Sequence, residues 1–307
     1  MRSRESIEPA RITWGFDEGA EIAPGRHALS LLGGGRHHEV YLAWEDRLFS
    51  LVAAKILRPD KTQDPRALRD LVAEASALEA LHHPVLPRCF DVVLEGDRPH
   101  LVLEFLDGPR LSTLLRRQGP LAIEQVLPLG LQVCSALHYM AAQGMVHLDV
   151  KSKNIVMGAP ARLIDLSIAR TFEEARETRR PIGTDAYMAP EQCGVGAFGE
   201  MGPPADVWGA GVTMYEAITG TLPFPAGSRG SGDERFSQLT EEPLPFSKHI
   251  PPSVAEPILS CLEKRSEDRP TATEMGRILQ DLVVGLPRRP ILGQLRPRPA
   301  RPPVAWR

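Results

Sequence analysis

The segment LFSLVAAKIL, residues 48 to 57, carries Lys55 inside an otherwise apolar strand. A buried ammonium without a counter-charge is strongly unfavourable, so a fold that hides this strand must bring it a carboxylate. The other outcome is that the stem lies along apolar surface while the charge reaches water. From Pro65 to Leu81, Leu68, Leu71, Val72, Ala75, Leu78 and Leu81 recur every three or four residues, which predicts an amphipathic helix. That helix offers Glu74 as the first candidate partner of Lys55 and Glu79 as the second. The chain is therefore expected to begin as a small sheet with one helix packed against it.

The flanking segments extend this plan. HALSLL and EVYLAW precede the lysine strand, and FDVVLE and HLVLEF follow the helix, joined by the turn GDR. After LDGP the character changes to helix. LSTLLRRQG and AIEQVLPLGLQVCSALHYMAAQG are amphipathic, and Gly144 stops the second. Short strands NIVM and ARLID come next, and a polar segment, 171 to 186, leads to ADVWGAGVTMYEAITG, which reads as a buried helix. Further helices are expected over 253 to 264 and 271 to 283. From Gly285 the chain has six arginines, no acid and repeated prolines, the pattern of a disordered tail. Such a tail is also suited to an acidic surface or a proline-recognition partner.

Composition removes several function classes. A net charge of -3 over 307 residues gives no global basic field for nucleic acid, and without the six tail arginines the rest stands at -9. The N-terminal MRSRESIEPARITW is too polar for a signal peptide, and VLPLGLQVCSALHYM is too short and interrupted to span a bilayer. Cys89, Cys134, Cys193 and Cys261 lie far apart without metal-type pairing, so reduced thiols and a cytoplasmic location are expected.

Three stretches carry chemistry. Glycines in LLGGGRHHEVY, set between two strands, let the backbone approach phosphate oxygens. VHLDVKSKN places Asp149, Lys151 and Asn154 together, and LIDLS adds Asp165. Asn154 and Asp165 supply the few hard oxygen ligands that Mg²⁺ takes beside phosphate oxygens, and Asp149 is a candidate acceptor for a hydroxyl proton.

With these motifs in this order the chain resembles the protein kinases, and among them the bacterial serine/threonine kinases of eukaryotic type. The resemblance covers roughly residues 25 to 284. It implies an α+β, two-lobed fold: a small N-terminal antiparallel sheet with one helix (25 to 104) and a larger, mainly helical lobe (108 to 284). Residues 1 to 24 are then an N-terminal extension, and 285 to 307 the tail. The resemblance assigns Leu32, Gly33, Gly34, Gly35 and Val40 to the nucleotide-covering loop, and pairs Lys55 with Glu74 at the phosphates. It assigns Leu103 to the adenine pocket and the backbone of Glu104 to Leu106 to its hydrogen bonds. Asp149 and Lys151 are the implied catalytic residues, and Asn154 and Asp165 the ligands of Mg²⁺ or Mn²⁺. GTDAYMAPE, with Thr184 and Glu191, resembles the substrate-docking segment of the serine/threonine branch. Asp206 in DVWGAGV supports the catalytic loop, and Arg269 in EDRP pairs with Glu191. The implied substrates are ATP and the serine or threonine hydroxyl of a protein.

Three positions depart from the pattern. His38 replaces the third glycine of the loop and must point away or crowd the phosphates. Leu166 and Ser167 replace phenylalanine and glycine after Asp165, and serine lacks glycine's freedom at positive φ. Leu148 replaces the arginine that binds an activation-segment phosphate. These changes leave a pseudokinase, acting as a nucleotide-binding or scaffolding module, as the competing reading. A small-molecule kinase of the antibiotic-phosphorylating type is a third, but it ordinarily lacks the APE segment and the DVWGAGV helix. Every phosphate, metal and base group is retained, which favours an active enzyme.

Overall fold

The structure is a computed structural model, and it describes residues 12–194, 198–227 and 235–286. Six antiparallel strands form the first layer: β1 (Glu21–Ala23), β2 (Arg26–Gly34), β3 (His38–Glu45), β4 (Ser50–Leu57), β5 (Cys89–Val93) and β6 (His100–Glu104). Their order across the sheet is β1-β2-β3-β4-β6-β5. Alternation decides the two faces. Tyr41, Ala43, Val52, Ala54, Ile56 and Val102 form an apolar core on one face. Lys55 points to the other, toward helix α1 (Pro65–Ala80). Asp64 starts that helix by accepting from the amides of Arg66 and Ala67 at 2.9 and 3.4 Å, with Pro65 in the first turn.

The expected N-terminal extension contributes to this layer. β1 pairs with β2, and Trp14 and Phe16 lie on the outer apolar face. That face would otherwise expose Tyr41, Val52 and Ile56, each no more than 1% exposed, so the chain before residue 25 is needed as its cover. The tail read from Gly285 lies, from Pro287 onward, outside the described residues.

The second layer is helical: α2 (Leu111–Gln118), α3 (Ile123–Ala142), and, further on, α5 (Pro203–Thr219), α6 (Pro252–Ser260) and α7 (Ala272–Val284). α3 crosses α5 and α7 at Gly130, where an added Cβ would lie 2.4 Å from Met214 Sδ and 3.1 Å from Leu279 Cδ1. A side chain at that position would have to displace the Met214 thioether. Between α3 and α5 the chain forms β7 (Met145–Val146), β8 (Ile155–Val156), β9 (Arg162–Leu163), β10 (Arg170–Thr171) and the short helix α4 (Phe172–Glu177). β8 pairs with β9, and β7 with β10. The expected polar segment from 171 thus contains a helix. Thr171 caps it, receiving the Glu174 amide while the Glu174 carboxylate receives the Thr171 amide.

Candidate active site

The sheet and the helical layer leave a cleft of about 710 Å³, lined by the glycine loop above and the β8–β9 hairpin below. Leu32, Gly34, Gly35, Val40, Lys55, Glu74, Leu103, Glu104, Leu106, Lys151, Asn154 and Asp165 all line it. Gly33 does not; it sits in β2 at a register shift opposite Val40, with φ 145°, a value that favours glycine. Asp149 lies next to the cleft, bonded to two of its lining residues.

Lys55 resolves the question its strand raised. Its Nζ donates to both Glu74 oxygens at 2.7 and 2.6 Å and to Asp165 Oδ1 at 2.8 Å. Glu79 is exposed on the far side of the helix. Burial opposes the lysine charge, but Asp165 and Glu74 outweigh it and hold its pKa above the ordinary value. Burial likewise opposes ionisation of Asp165, and the Lys55 charge prevails, holding that carboxyl well below the usual range. The three groups tie β4, α1 and the loop after β9 into one charged unit.

Below it, the loop between β7 and β8 carries Asp149. Its Oδ1 accepts from Thr184 Oγ1 at 2.7 Å, and its Oδ2 accepts from Asn154 Nδ2 at 2.9 Å and from Lys151 Nζ. Lys151 also donates to Thr184 Oγ1 at 2.7 Å. This loop is held from beneath by Asp206, which receives the amides of His147 and Leu148, both at 2.7 Å. Gly209, one turn further along α5, lets Val150 approach: an added Cβ would stand 2.9 Å from Val150 Cβ. The segment GTDAYMAPE is anchored by Glu191, bidentate to Arg269 at 2.6 and 2.8 Å with both side chains fully buried.

The three departures have structural answers. His38 does not point away. Its ring lines the cleft beneath Gly35, 3.2 Å from where a Cβ would sit there. Burial, then the Lys55 charge, lower its pKa to about 3, so it is a neutral ring in the space that a third glycine would leave open. The left-handed residue of the DLS triplet is Asp165, at φ 71°, not Ser167, so serine costs nothing at that point. Leu148 has φ 63° and is 3% exposed. It packs in an apolar cluster with Val146, Ala175, Ala189 and Trp208, against which Phe172 and Ile182 also rest. Ala175 and Phe172 belong to α4, so apolar contact joins α4 to the loop between β7 and β8 at the position where the family pattern has an arginine.

Ala53 above and Val156 below the cleft were not singled out from sequence. Each lies two residues from a recognised one, Lys55 and Asn154, which is the signal that identifies them. The backbone of Glu104 is only partly free as expected: its amide donates to Arg88 O at 2.9 Å. Of the three connector residues, Phe105 and Leu106 lie beyond the strand, and both line the cleft.

Among the described residues no group of three or more His, Cys, Asp or Glu side chains stands ready to hold a metal. Asn154 turns its Nδ2 toward Asp149, which leaves Oδ1 for another partner, and Asp165 is ionised. Two oxygen donors beside a phosphate site fit Mg²⁺, which takes one or two protein ligands together with phosphate oxygens and water.

The Protein kinase domain family matches residues 26–278. The chain belongs to the protein kinase family. The serine/threonine-protein kinase PknB of Mycobacterium leprae is 32% identical over 259 residues, covering 80% of this chain and 41% of that protein. PkaA of Streptomyces coelicolor, also a serine/threonine-protein kinase, is 35% identical over 243 residues, 76% of this chain and 44% of the relative. PknA of Mycobacterium tuberculosis is 32% identical over 294 residues, 92% and 65% respectively. The chain thus spans less than half the length of PknB and PkaA. The kinase match begins at Arg26, after β1 and the aromatic pair, although those residues complete the outer face of the sheet. All four cysteines are unpaired, and burial pushes the Cys134 thiol up to about 12. Among the described residues no helix is long and apolar enough to cross a membrane.

Proposed function

We propose that this chain is an active serine/threonine protein kinase, transferring the γ-phosphoryl of ATP to a protein hydroxyl. The observation that carries the reading is the assembled charge unit: Lys55 bridging Glu74 and Asp165 directly above an Asp149 held by Lys151, Asn154 and Thr184. Catalysis of this transfer is mostly positioning and electrostatics, and each group has a task. Lys55 orients the α- and β-phosphates, and Leu32, Val40, Ala53 and Leu103 enclose the base. Asn154 and Asp165 would hold Mg²⁺, which when bound neutralises charge between the phosphates. Lys151 meets the charge of the γ-phosphoryl. Asp149 orients the attacking hydroxyl and takes its proton.

Thr184, bonded to both Asp149 and Lys151, supports assignment to the serine/threonine branch. The catalytic unit runs to about Val284, and includes Trp14, Phe16 and β1 before residue 25. Unpaired cysteines support a cytoplasmic place of action. The test is transfer of label from ATP to a serine- and threonine-containing protein, with Mg²⁺, by the full chain and its Asp149→Asn variant. Transfer by the first and not the second is expected. Equal transfer by both, or by neither, overturns the reading.

A further inference from the structure

The glycine loop is held by a side chain that no motif assigns. Arg58, just after β4, places Nε 3.0 Å from Gly35 O, and its Nη1 donates to Glu39 Oε1 at 2.7 Å and to Ile12 O at 3.0 Å. Its Nη2 lies 3.4 Å from where a Gly34 Cβ would sit. Its own amide donates to His37 O at 2.9 Å. One guanidinium therefore spans the loop, the strand that leaves it and the N-terminal segment. Glu39, 1% exposed, fixes that guanidinium and also receives Tyr41 Oη at 3.0 Å and the Trp14 amide at 3.2 Å. Trp14 in turn donates Nε1 to Leu57 O at 2.8 Å and stacks on Phe16, 5.7 Å between centroids.

We propose that Arg58 is a positioning residue for nucleotide phosphates, and that the strap from Ile12 to Phe16 holds it in that role. A loop rich in glycine has little intrinsic preference for one shape, so its height over the phosphates must be set from outside. Arg58 sets it through the Gly35 carbonyl, while the Gly35 amide closes the loop on His38 O at 2.9 Å. The planar fork makes these contacts together; the ammonium of a lysine has no such geometry. The inference rests on the phosphate-binding reading given above, and assigns a role to residues before the kinase match.

The test is a pair of titrations, with Mg-ATP and with adenosine, because only the first engages the loop through phosphates. Removing Arg58 alone would strand the buried Glu39, so the variant is Arg58→Met/Glu39→Gln in the full chain. It is expected to bind ATP about tenfold more weakly, ~1.4 kcal/mol, with adenosine affinity unchanged. Arg58→Lys should fall between the two proteins, and KM for ATP should rise by a larger factor than kcat falls. Trp14→Phe, which keeps the stacking and removes the bond to Leu57 O, should weaken ATP in the same direction. If the double variant does not fold at assay temperature, Trp14→Phe decides alone. Wild-type ATP affinity in the deciding variant overturns the proposal, and so does an equal loss of ATP and adenosine, which marks a merely structural role. A wild-type protein with no preference for ATP over adenosine overturns the phosphate reading beneath it.

Discussion

Glu191 and Arg269 are 78 positions apart, yet they form one ion pair with no exposed side-chain surface. Arg269 also donates to the carbonyls of Glu263, Pro204 and Lys264 and lies over the Trp208 ring, 5.0 Å from its centroid. Glu191→Ala leaves the guanidinium buried with only neutral acceptors. Breaking such a pair costs about 3–5 kcal/mol. For a domain of this size each kcal/mol lowers the melting temperature by roughly 2–4 °C, so a fall of roughly 6–20 °C is expected. Glu191→Gln keeps an acceptor oxygen and should lose less. In a double-mutant cycle with Arg269→Met, the double variant should be less destabilised than the sum of the singles, because the second change removes the stranded charge. Calorimetry on the five proteins measures all three quantities. A Glu191→Ala protein melting within about 2 °C of wild type, or strict additivity across the cycle, would refute the electrostatic argument for the anchor.

Lys55→Met should abolish phosphoryl transfer while a cooperative melting transition remains; unchanged turnover would sink its assignment. Asp165→Ala should weaken Mg-ATP binding more than binding of metal-free nucleotide, with Asn154→Ala acting in the same direction but less; equal losses with and without Mg²⁺ would reduce both residues to structural parts. Leu148 ties the catalytic loop to α4 by apolar contact, so activity should not require phosphorylation of Thr171 or Thr178. Initial rates of phosphatase-treated protein, ATP-preincubated protein and the Thr171→Ala/Thr178→Ala variant should be similar; a lag abolished by preincubation, with an inactive double variant, would contradict this.

The sequence carried its clearest signals where a residue type has few acceptable environments. An ammonium in an apolar strand needed a carboxylate, and Glu74 on the following helix supplied it at 2.6–2.7 Å. The spacing of Asp149, Lys151 and Asn154 likewise placed three groups on one short loop. The strap was not legible, since Trp14 and Phe16 belong to no periodic run and only the finished sheet shows a face that needs them. α4 is too short for periodicity, although Thr171 and Glu174 carry the spacing of a capping box. The side chains of His38 and Leu148 were undetermined for a different reason. Each is set by what packs on it from elsewhere in the chain: Gly35 and the Lys55 charge for the first, α4 and Trp208 for the second. Ser167 drew attention as a missing glycine, whereas the strained backbone belongs to Asp165, whose carboxylate is held by Lys55.

The central claim is that the cleft performs phosphoryl transfer and is not a relic of it. Intact mass spectrometry of the full chain after incubation with ATP and Mg²⁺, beside Asp149→Asn and an added protein substrate, reads that claim directly. The account predicts phosphoryl increments on serine or threonine in the wild-type reaction and none with Asp149→Asn, although both proteins bind ATP. Nucleotide binding by the wild type without any increment on either protein would contradict it.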